Sequence, residues 1–425
     1  MKIGIEQLLA KNALPRLLRH LRLFALTVGG TEAHAQFLKD QDQVRVVMQA
    51  GLGRLNKLRM NRSRGKRWCQ AETMRMFHNR NFLTAVALIQ ALIKEQHLSL
   101  AGARHLADRA RDLSVDEAII FDPQPKSNGD QRIISKFGPI KRVRNRAMAL
   151  LIEAVSGPFE FDFCHLGRGG VEGAVKQIGE SVLQGYRFWI TCDLTSAYPS
   201  VKLDHVKGVI PIHGRLLSEV GFATRYNGYI TNKEGARPGL AEGASHSSKI
   251  LSAFTDGPLR QVGGSVQVLC FADNIAIGAR TLDSVKCAFN TFKNALSASK
   301  AGPIHLHSEA VCDAFHHHSH EKKGNVIYRN GVDFCHYRIS YDEHDAKLRY
   351  RANTLAFAKA KRKAFSRLSG VTDEDEMEDI VGAYLRNWAK SFRLWKVDAH
   401  TLECLKQTRD WWVYEFKYGK TIDAA

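Results

Sequence analysis

The sequence predicts an α+β protein in which a β-rich central segment lies between two helical ones. Three observations predict it. Residues 1–113 and those after Arg349 place apolar side chains three or four apart, the spacing of a buried helix face. Residues 116–345 break into short β-prone runs and Gly-rich turns, with few long helices. Two apolar runs in that centre end in an acid, at Asp193 and at Asp273. With 425 residues, 44% of them hydrophobic, the chain is long enough for two or three domains.

The first stretch, MKIGIEQLLAKNALPRLLRHLRLFALTVGG, is basic and amphipathic. Its apolar run after Arg22 is too short for a signal sequence, so it reads as an ordinary helix rather than a transit peptide. Further on, RLNKLRMNRSRGKR gathers Arg54, Lys57, Arg59, Arg62, Arg64, Lys66 and Arg67 beside Trp68. Such a run is either a solvated face or a nucleic-acid contact. The net charge of +19 and pI near 9.6 favour polyanionic partners, nucleic acid above all. No apolar run approaches the roughly 18–20 residues of a membrane span. The eight cysteines are scattered without a CxxC pair, and Cys192 and Cys270 lie inside apolar runs. They read as small core residues of a reducing compartment.

In the centre, YRFWITCDLTSAYPSV (186–201) is a strand ending at Asp193. QVLCFADNIAIGA (267–279) reads as a hairpin with Asp273 and Asn274 at its tip. Turn chemistry alone accounts for one such tip, since Asp and Asn bond their own backbone. A second acid 80 residues earlier changes the argument. Two acids at the ends of adjacent strands can share two divalent ions about 3.5–4 Å apart, the arrangement that activates a hydroxyl and stabilises a leaving pyrophosphate. After the centre, VTDEDEMEDIVGAYLRNWAKSFRLW spaces Met377, Ile380, Val381, Tyr384, Leu385, Trp388, Phe392 and Trp395 helically, with Thr372 as N-cap and acids in the first turn. Residues 401–418 form a further helix.

Three other patterns carry less. FHHHSH (315–320), with His305 and His307, has no fixed ligand spacing with a Cys or acid and reads as a solvated loop. GKT at 419–421 is no P-loop, because Tyr414 stands where its first Gly belongs. Ser245 and His246 are sequence neighbours, which seldom face each other as nucleophile and base.

Taken in order, the central segments resemble the reverse transcriptases over residues 120–345. DLTSAY resembles their palm motif A, with Asp193 as metal ligand and Tyr198 at the steric gate beside the sugar 2′ position. RPGLAEGASHSS (237–248) resembles motif B, bringing Gly239, Glu242 and Gly243 to the nucleotide. FADN stands at motif C, and GVDFCHYRIS (331–340) resembles the primer grip, with Phe334, Tyr337 and Ile339 matching. KSNGDQRII (126–134) resembles the fingers loop, whose Lys126 and Arg132 hold the triphosphate; HLGRGGVEGAV (165–175) resembles the Gly-Arg segment before motif A. Three positions depart from the pattern: Asn274 replaces the second motif C acid, Glu242 stands where Gln is usual, and Ala310 aligns with the motif D Lys, with Lys300 or a His as substitutes.

The resemblance implies a right-hand polymerase: a basic helical N-terminal region leading into the fingers (1–115), fingers (116–185), an antiparallel-sheet palm (186–345) and a helical thumb (346–425). It implies an RNA-directed DNA polymerase that transfers nucleotides from dNTPs to a 3′-hydroxyl. Two Mg²⁺, or Mn²⁺ in their place, would be held by Asp193, Asp273 and the main-chain oxygen of Leu194, with Asn274 assisting. A compact chain of this kind resembles the stand-alone retron, abortive-infection and defence-associated enzymes of bacteria. That implies a cytoplasmic role in antiphage defence, with a dedicated non-coding RNA template and a DNA primer or product. Low-complexity DNA made without a conventional template, template-independent or protein-directed, is the variant reading. The chain would act as a homo-oligomer or with another subunit. An RNA-dependent RNA polymerase, prompted by Asn274, and a catalytically weakened nucleic-acid scaffold stand as alternatives.

Overall fold

The protein is described by a computed structural model covering residues 8–10, 13–115, 117, 119–125, 131–157, 159–164, 168–195, 197–222, 239–299, 304–316, 329–396 and 398–418. The N-terminal part is helical: α1 (Ala13–Thr27), α2 (Gly30–Met60), α3 (Lys66–Phe77), α4 (Arg80–Ile93) and α5 (Leu100–Arg111). A hairpin follows, β1 (Ile119–Pro125) and β2 (Gln131–Phe137), then α6 (Pro139–Ser156) and α7 (Gly170–Leu183). The centre holds β3 (Phe188–Thr195), α8 (Ala197–Ser200), α9 (Leu203–Val209), α10 (Ser247–Arg260), β4 (Gln267–Phe271), β5 (Asn274–Ala279), α11 (Leu282–Ser297) and β6 (His305–Asp313). Short strands β7 (Phe315–His316), β8 (Arg329–Asn330) and β9 (Val332–Phe334) lead to β10 (Tyr337–Asp342) and β11 (Lys347–Ala352). Helices α12 (Thr354–Arg367), α13 (Glu374–Lys390) and α14 (Ala399–Tyr418) complete the described chain.

The residues divide into two compact units. Unit 1 comprises Met1–Gly170, Leu194–Val262 and Asn290–His307. Its core is built from helices that are apolar nearly all round: α4 buries ten of its fourteen residues, among them Phe82, Leu83 and Ile89. Asn79 caps α4 by accepting from the Phe82 N–H at 2.9 Å, and Ser99 caps α5 through Gly102 at 3.1 Å. Helix α6 is capped from a distance: Glu117 accepts from the N–H groups of Ile140 and Lys141, placing a carboxylate at a helix N-terminus. Between α6 and α10 lies the buried ion pair Glu153–Lys249, 2.7 Å apart; Lys249 also donates to the Cys164 carbonyl at 3.2 Å. Satisfying the ammonium twice is what makes its burial tolerable.

Unit 2 comprises Val171–Asp193, Gly263–Phe289 and Ser308–Ala425. Its main sheet has the strand order β4-β5-β3-β6-β8, with β5 antiparallel to both β4 and β3. Trp189, wholly buried on β3, packs its indole over Gly278 of β5, where a Cβ would come within 2.6 Å of the ring. A second sheet pairs β10 with β9, β11 and β7. Helices α12–α14 share a core of Ala360, Ala364, Leu368, Met377, Val381, Leu385, Leu405, Trp412 and Val413. The alanines at i and i+4 let α12 approach its neighbours closely. The rings of Phe357, Trp388, Phe392 and Trp395 meet edge to face, and Tyr337 of β10 joins them through Phe392 at 5.0 Å.

Three expectations are corrected. Among the described residues, 116–345 contain four helices of 14 to 18 residues; α6 buries fourteen of its eighteen, charged side chains included, which blurs its helical stripe. The cap of α13 is Asp373, not Thr372: its carboxylate accepts from the Glu376 N–H at 2.8 Å. The turn of the β4–β5 hairpin is Ala272-Asp273, and Asn274 is already the first residue of β5.

Candidate active site

The two acids reach their places through strand geometry. On β3 the run Trp189–Cys192 is buried, Asp193 is exposed and Leu194 is buried again, the alternation of a strand leaving the core. On the neighbouring hairpin, Phe271 pairs with Asn274, which leaves Ala272 and Asp273 as a two-residue turn. Ala272 adopts φ 57°, a left-handed conformation that an L-residue holds only under constraint. Because Asn274 is also the register partner of Asp193, Asp273 sits one residue from the position opposite Asp193. Two carboxylates thus stand at the same end of two hydrogen-bonded strands.

Asn274 donates from Nδ2 to Asp273 Oδ1 at 3.2 Å. The neutral amide therefore orients the acid before it, a use that an aspartate could not serve. Turn 335–336 of the β9–β10 hairpin belongs to the same neighbourhood. Burial, then the carboxylates of Asp193 and Asp273, push the Cys335 thiol well above its ordinary range. Burial and then Asp193 push the Cys192 thiol up to about 12. Cys335 was not singled out by sequence reasoning, since a lone Cys in a turn carries no signal. Both Cys335 and His336 take positive φ, 47° and 75°, as a tight two-residue turn demands. His336 is exposed and lies 3.3 Å from the Lys359 ammonium. The matched residues Phe334 and Tyr337 face the other way: they are 3% and 4% exposed and belong to the core, so the hairpin presents its turn, not these rings.

Within unit 1 the motif B segment is fastened by its backbone. Leu240 N–H donates to the Tyr198 carbonyl at 2.8 Å. Gly239, at φ 92°, lies so close to that carbonyl and to Pro199 that a Cβ would come within 2.4 Å of both oxygens. The Ser135 N–H of β2 donates to the Glu242 carbonyl at 2.8 Å, and a Cβ on Gly243 would meet the Ser135 oxygen at 2.7 Å. Tyr198 and the Glu242 side chain are half-buried. His246, completely buried, donates from Nε2 to the Gly221 carbonyl at 2.9 Å, and burial lowers its pKa to about 4. It is a structural pin and not a base for Ser245. Arg132 lies on β2 opposite Gln124. Its side chain, Lys126, Lys300 and residues 317–320 of the His run lie outside the described residues, while Ala310 lies on β6.

The basic run occupies the end of α2, a 3-10 turn and the start of α3. Arg54, Lys57, Arg64, Lys66 and Arg67 are exposed. Arg62 donates to the Gly157 carbonyl, Lys66 to the Gly208 carbonyl at 3.2 Å, and Arg64 lies over the Trp68 ring at 5.4 Å. The run is thus partly a brace within unit 1. Among the described residues no group of three or more His, Cys, Asp and Glu side chains is gathered to hold a metal ion, and no helix is long and apolar enough to cross a membrane.

The chain is therefore a mixed helix-and-sheet protein with a carboxylate pair at adjacent strand ends. No protein-family model matches it, and no curated protein matches it in sequence. Solved structures similar to it include telomerase from Candida albicans in complex with the TWJ fragment of telomeric RNA, at TM-score 0.36 and 10% identity over 71% of this chain. They also include apo telomerase from Candida tropicalis truncated from its C-terminal domain, at TM-score 0.31 and 12% identity over 56% of this chain. This chain spans 60% and 54% of the length of those two.

Proposed function

We propose that the protein is an RNA-directed DNA polymerase of the reverse-transcriptase type, adding dNTPs to a 3′-hydroxyl. The observation that carries the reading is the register Asp193–Asn274, which sets Asp193 and Asp273 at one end of paired strands. This donor set suits Mg²⁺, a hard ion that takes one or two carboxylates and completes its shell with water and substrate phosphate. Asp193, Asp273 and the main-chain oxygen of Leu194 would hold the ions, Mg²⁺ or Mn²⁺. Bound there, the ions supply Lewis acidity for in-line nucleotidyl transfer.

The chain's own residues have the remaining tasks. Asn274 fixes the rotamer of Asp273 and keeps a third negative charge away from a site that must admit a triphosphate. Tyr198 would discriminate against a 2′-hydroxyl, and Lys126 and Arg132 would neutralise triphosphate charge. Glu242 would accept a hydrogen bond from a base amino group or pair with a fingers cation. The sequence resemblance extends the proposal to bacterial antiphage defence, with a non-coding RNA template or low-complexity synthesis.

The test is incorporation of labelled dNTPs and, separately, rNTPs by the purified protein with its co-purifying RNA. Asp193→Ala and Asp273→Ala should each lower dNTP incorporation by roughly a hundredfold or more. Undiminished incorporation by either variant removes the metal-site assignment. A wild type that prefers rNTPs makes it an RNA polymerase, and one with no incorporation makes it a scaffold.

A further inference from the structure

We infer that the groove along α3 in unit 1 is a binding track for single-stranded nucleic acid. The groove has a volume of about 660 Å³ and is lined by Arg67, Gln70, Ala71, Met74, Arg75, His78 and His213. Arg67, Gln70, Ala71, Met74 and His78 fall at the i, i+3, i+4, i+7, i+11 positions of one helix face. From Arg67 to His78 that face runs roughly 16 Å. The rim carries Arg67, Arg75, His78 and His213, and no carboxylate lines it among the described residues. Arg67 has no ion-pair partner among the described residues, and Arg75 spends one guanidinium edge on Glu72 at 3.0 Å while staying 68% exposed.

His213 is held as a donor. Its main-chain N–H donates to Thr73 Oγ1 at 3.3 Å, and its ring Nδ1 accepts from the Arg215 main-chain N–H at 3.2 Å. In the neutral ring the proton then resides on Nε2, which is left to serve the groove. The floor is Ala71 and Met74, apolar and adaptable, a surface on which a base can lie while cations follow its phosphates. The occupant follows from this pairing of an apolar floor with a cationic rim. A comparably open pocket, about 600 Å³ around Arg62, Arg168 and Arg260, lacks that character because Glu160 and Asp256 line it and already pair with Arg260.

The track is independent of the carboxylate chemistry, so binding and incorporation test different statements. Binding of a labelled single-stranded RNA to the full chain would be titrated over a range of salt. The double variant Arg67→Gln/Arg75→Gln should weaken binding roughly tenfold near 0.1 M salt. It should also flatten the slope of log K against log salt by about 1.4, that is about 0.7 for each charge removed. Met74→Glu, which puts an acid on the floor, should weaken binding at least as much. His213→Gln, which keeps a donor, should cost less than His213→Ala. Melting temperatures within a degree or two of wild type show that the variants fold. Asp193→Ala should bind as wild type even where it has lost incorporation. Unchanged affinity and slope in both the double variant and Met74→Glu overturn the inference, as does equal sensitivity of blunt duplex RNA to these substitutions.

Discussion

At the scale of single residues, two side chains carry the most physical information. Asn274 donates to Asp273 and lies opposite Asp193, so an aspartate at 274 would place three carboxylates together and remove a donor. Asn274→Asp should therefore lower stability without divalent ions, by like-charge repulsion, and bind such ions more strongly. Thermal melts with and without Mg²⁺ should show a larger ion-induced rise for the variant than for wild type. An equal rise would mean that the amide has no influence on ion binding. His246 gives a second expectation. Its folded pKa of about 4 lies below the ordinary 6.5, so the unfolded chain takes up the proton first. The stability it supports is present above pH 6.5 and is lost as pH falls towards 4, by about 3 kcal/mol in all. Urea unfolding at pH 7 and pH 4.5 should show this loss, and His246→Gln should reduce it. A variant with the wild-type pH dependence would shift the burden to other groups.

At the scale of elements, the β10–β11 hairpin keeps a conflict. Its register sets Arg338 opposite Arg351, with Arg349 two residues away on the same face. Arg338 is answered by a bidentate contact with Asp333 at 2.6 Å, and Arg349 by Asp342 and Asp345. Arg351 has no ion pair among the described residues, and burial followed by Arg338 lowers its pKa. Arg351→Thr, a good strand residue, should raise stability by a few tenths of a kcal/mol, up to about 1, since solvent screens the repulsion. Chemical denaturation would measure it; a loss of stability would show that the guanidinium stem contributes more by packing than its charge costs.

Elements also show what was legible in the sequence. Strands β3 and β4 were readable because their apolar runs lead straight into an acid, and α13 because six of its apolar side chains, Met377 to Trp388, keep helical spacing. The length of α6 was not, since it buries charged and polar residues (Lys141, Arg144, Asn145, Glu153) along with apolar ones, so no polar face marks it as a helix. The hairpin turn was misplaced by one residue because Asp-Asn is ordinary turn chemistry, whereas Ala at φ 57° is not. The proximity of Cys335 to Asp193 and Asp273 depends on how distant strands fold back, which no local pattern encodes. The buried places of Phe334 and Tyr337 follow from strand alternation: β9 buries Val332 and Phe334, and β10 buries Tyr337 and Ile339.

At the scale of the whole molecule, the net charge of +19 is the dominant fact. A surplus of this size repels itself, and polyanions relieve it by releasing their condensed counterions when cations replace them. That release is large at low salt and fades steeply as salt rises. The protein isolated at low ionic strength should therefore carry nucleic acid, visible as absorbance at 260 nm in excess of that at 280 nm. A wash near 1 M salt, where screening is within about 3 Å, should strip most of it. What survives the wash is held by contacts beyond charge, such as bases lying on apolar floor residues. Sequencing the two fractions separates the cases: the salt-labile fraction should mirror cellular RNA, whereas a single recurring RNA in the resistant fraction would be the candidate template. Preparations free of nucleic acid at low salt would show that the positive charge is consumed within the fold, as Arg62 and Lys66 already are on main-chain carbonyls.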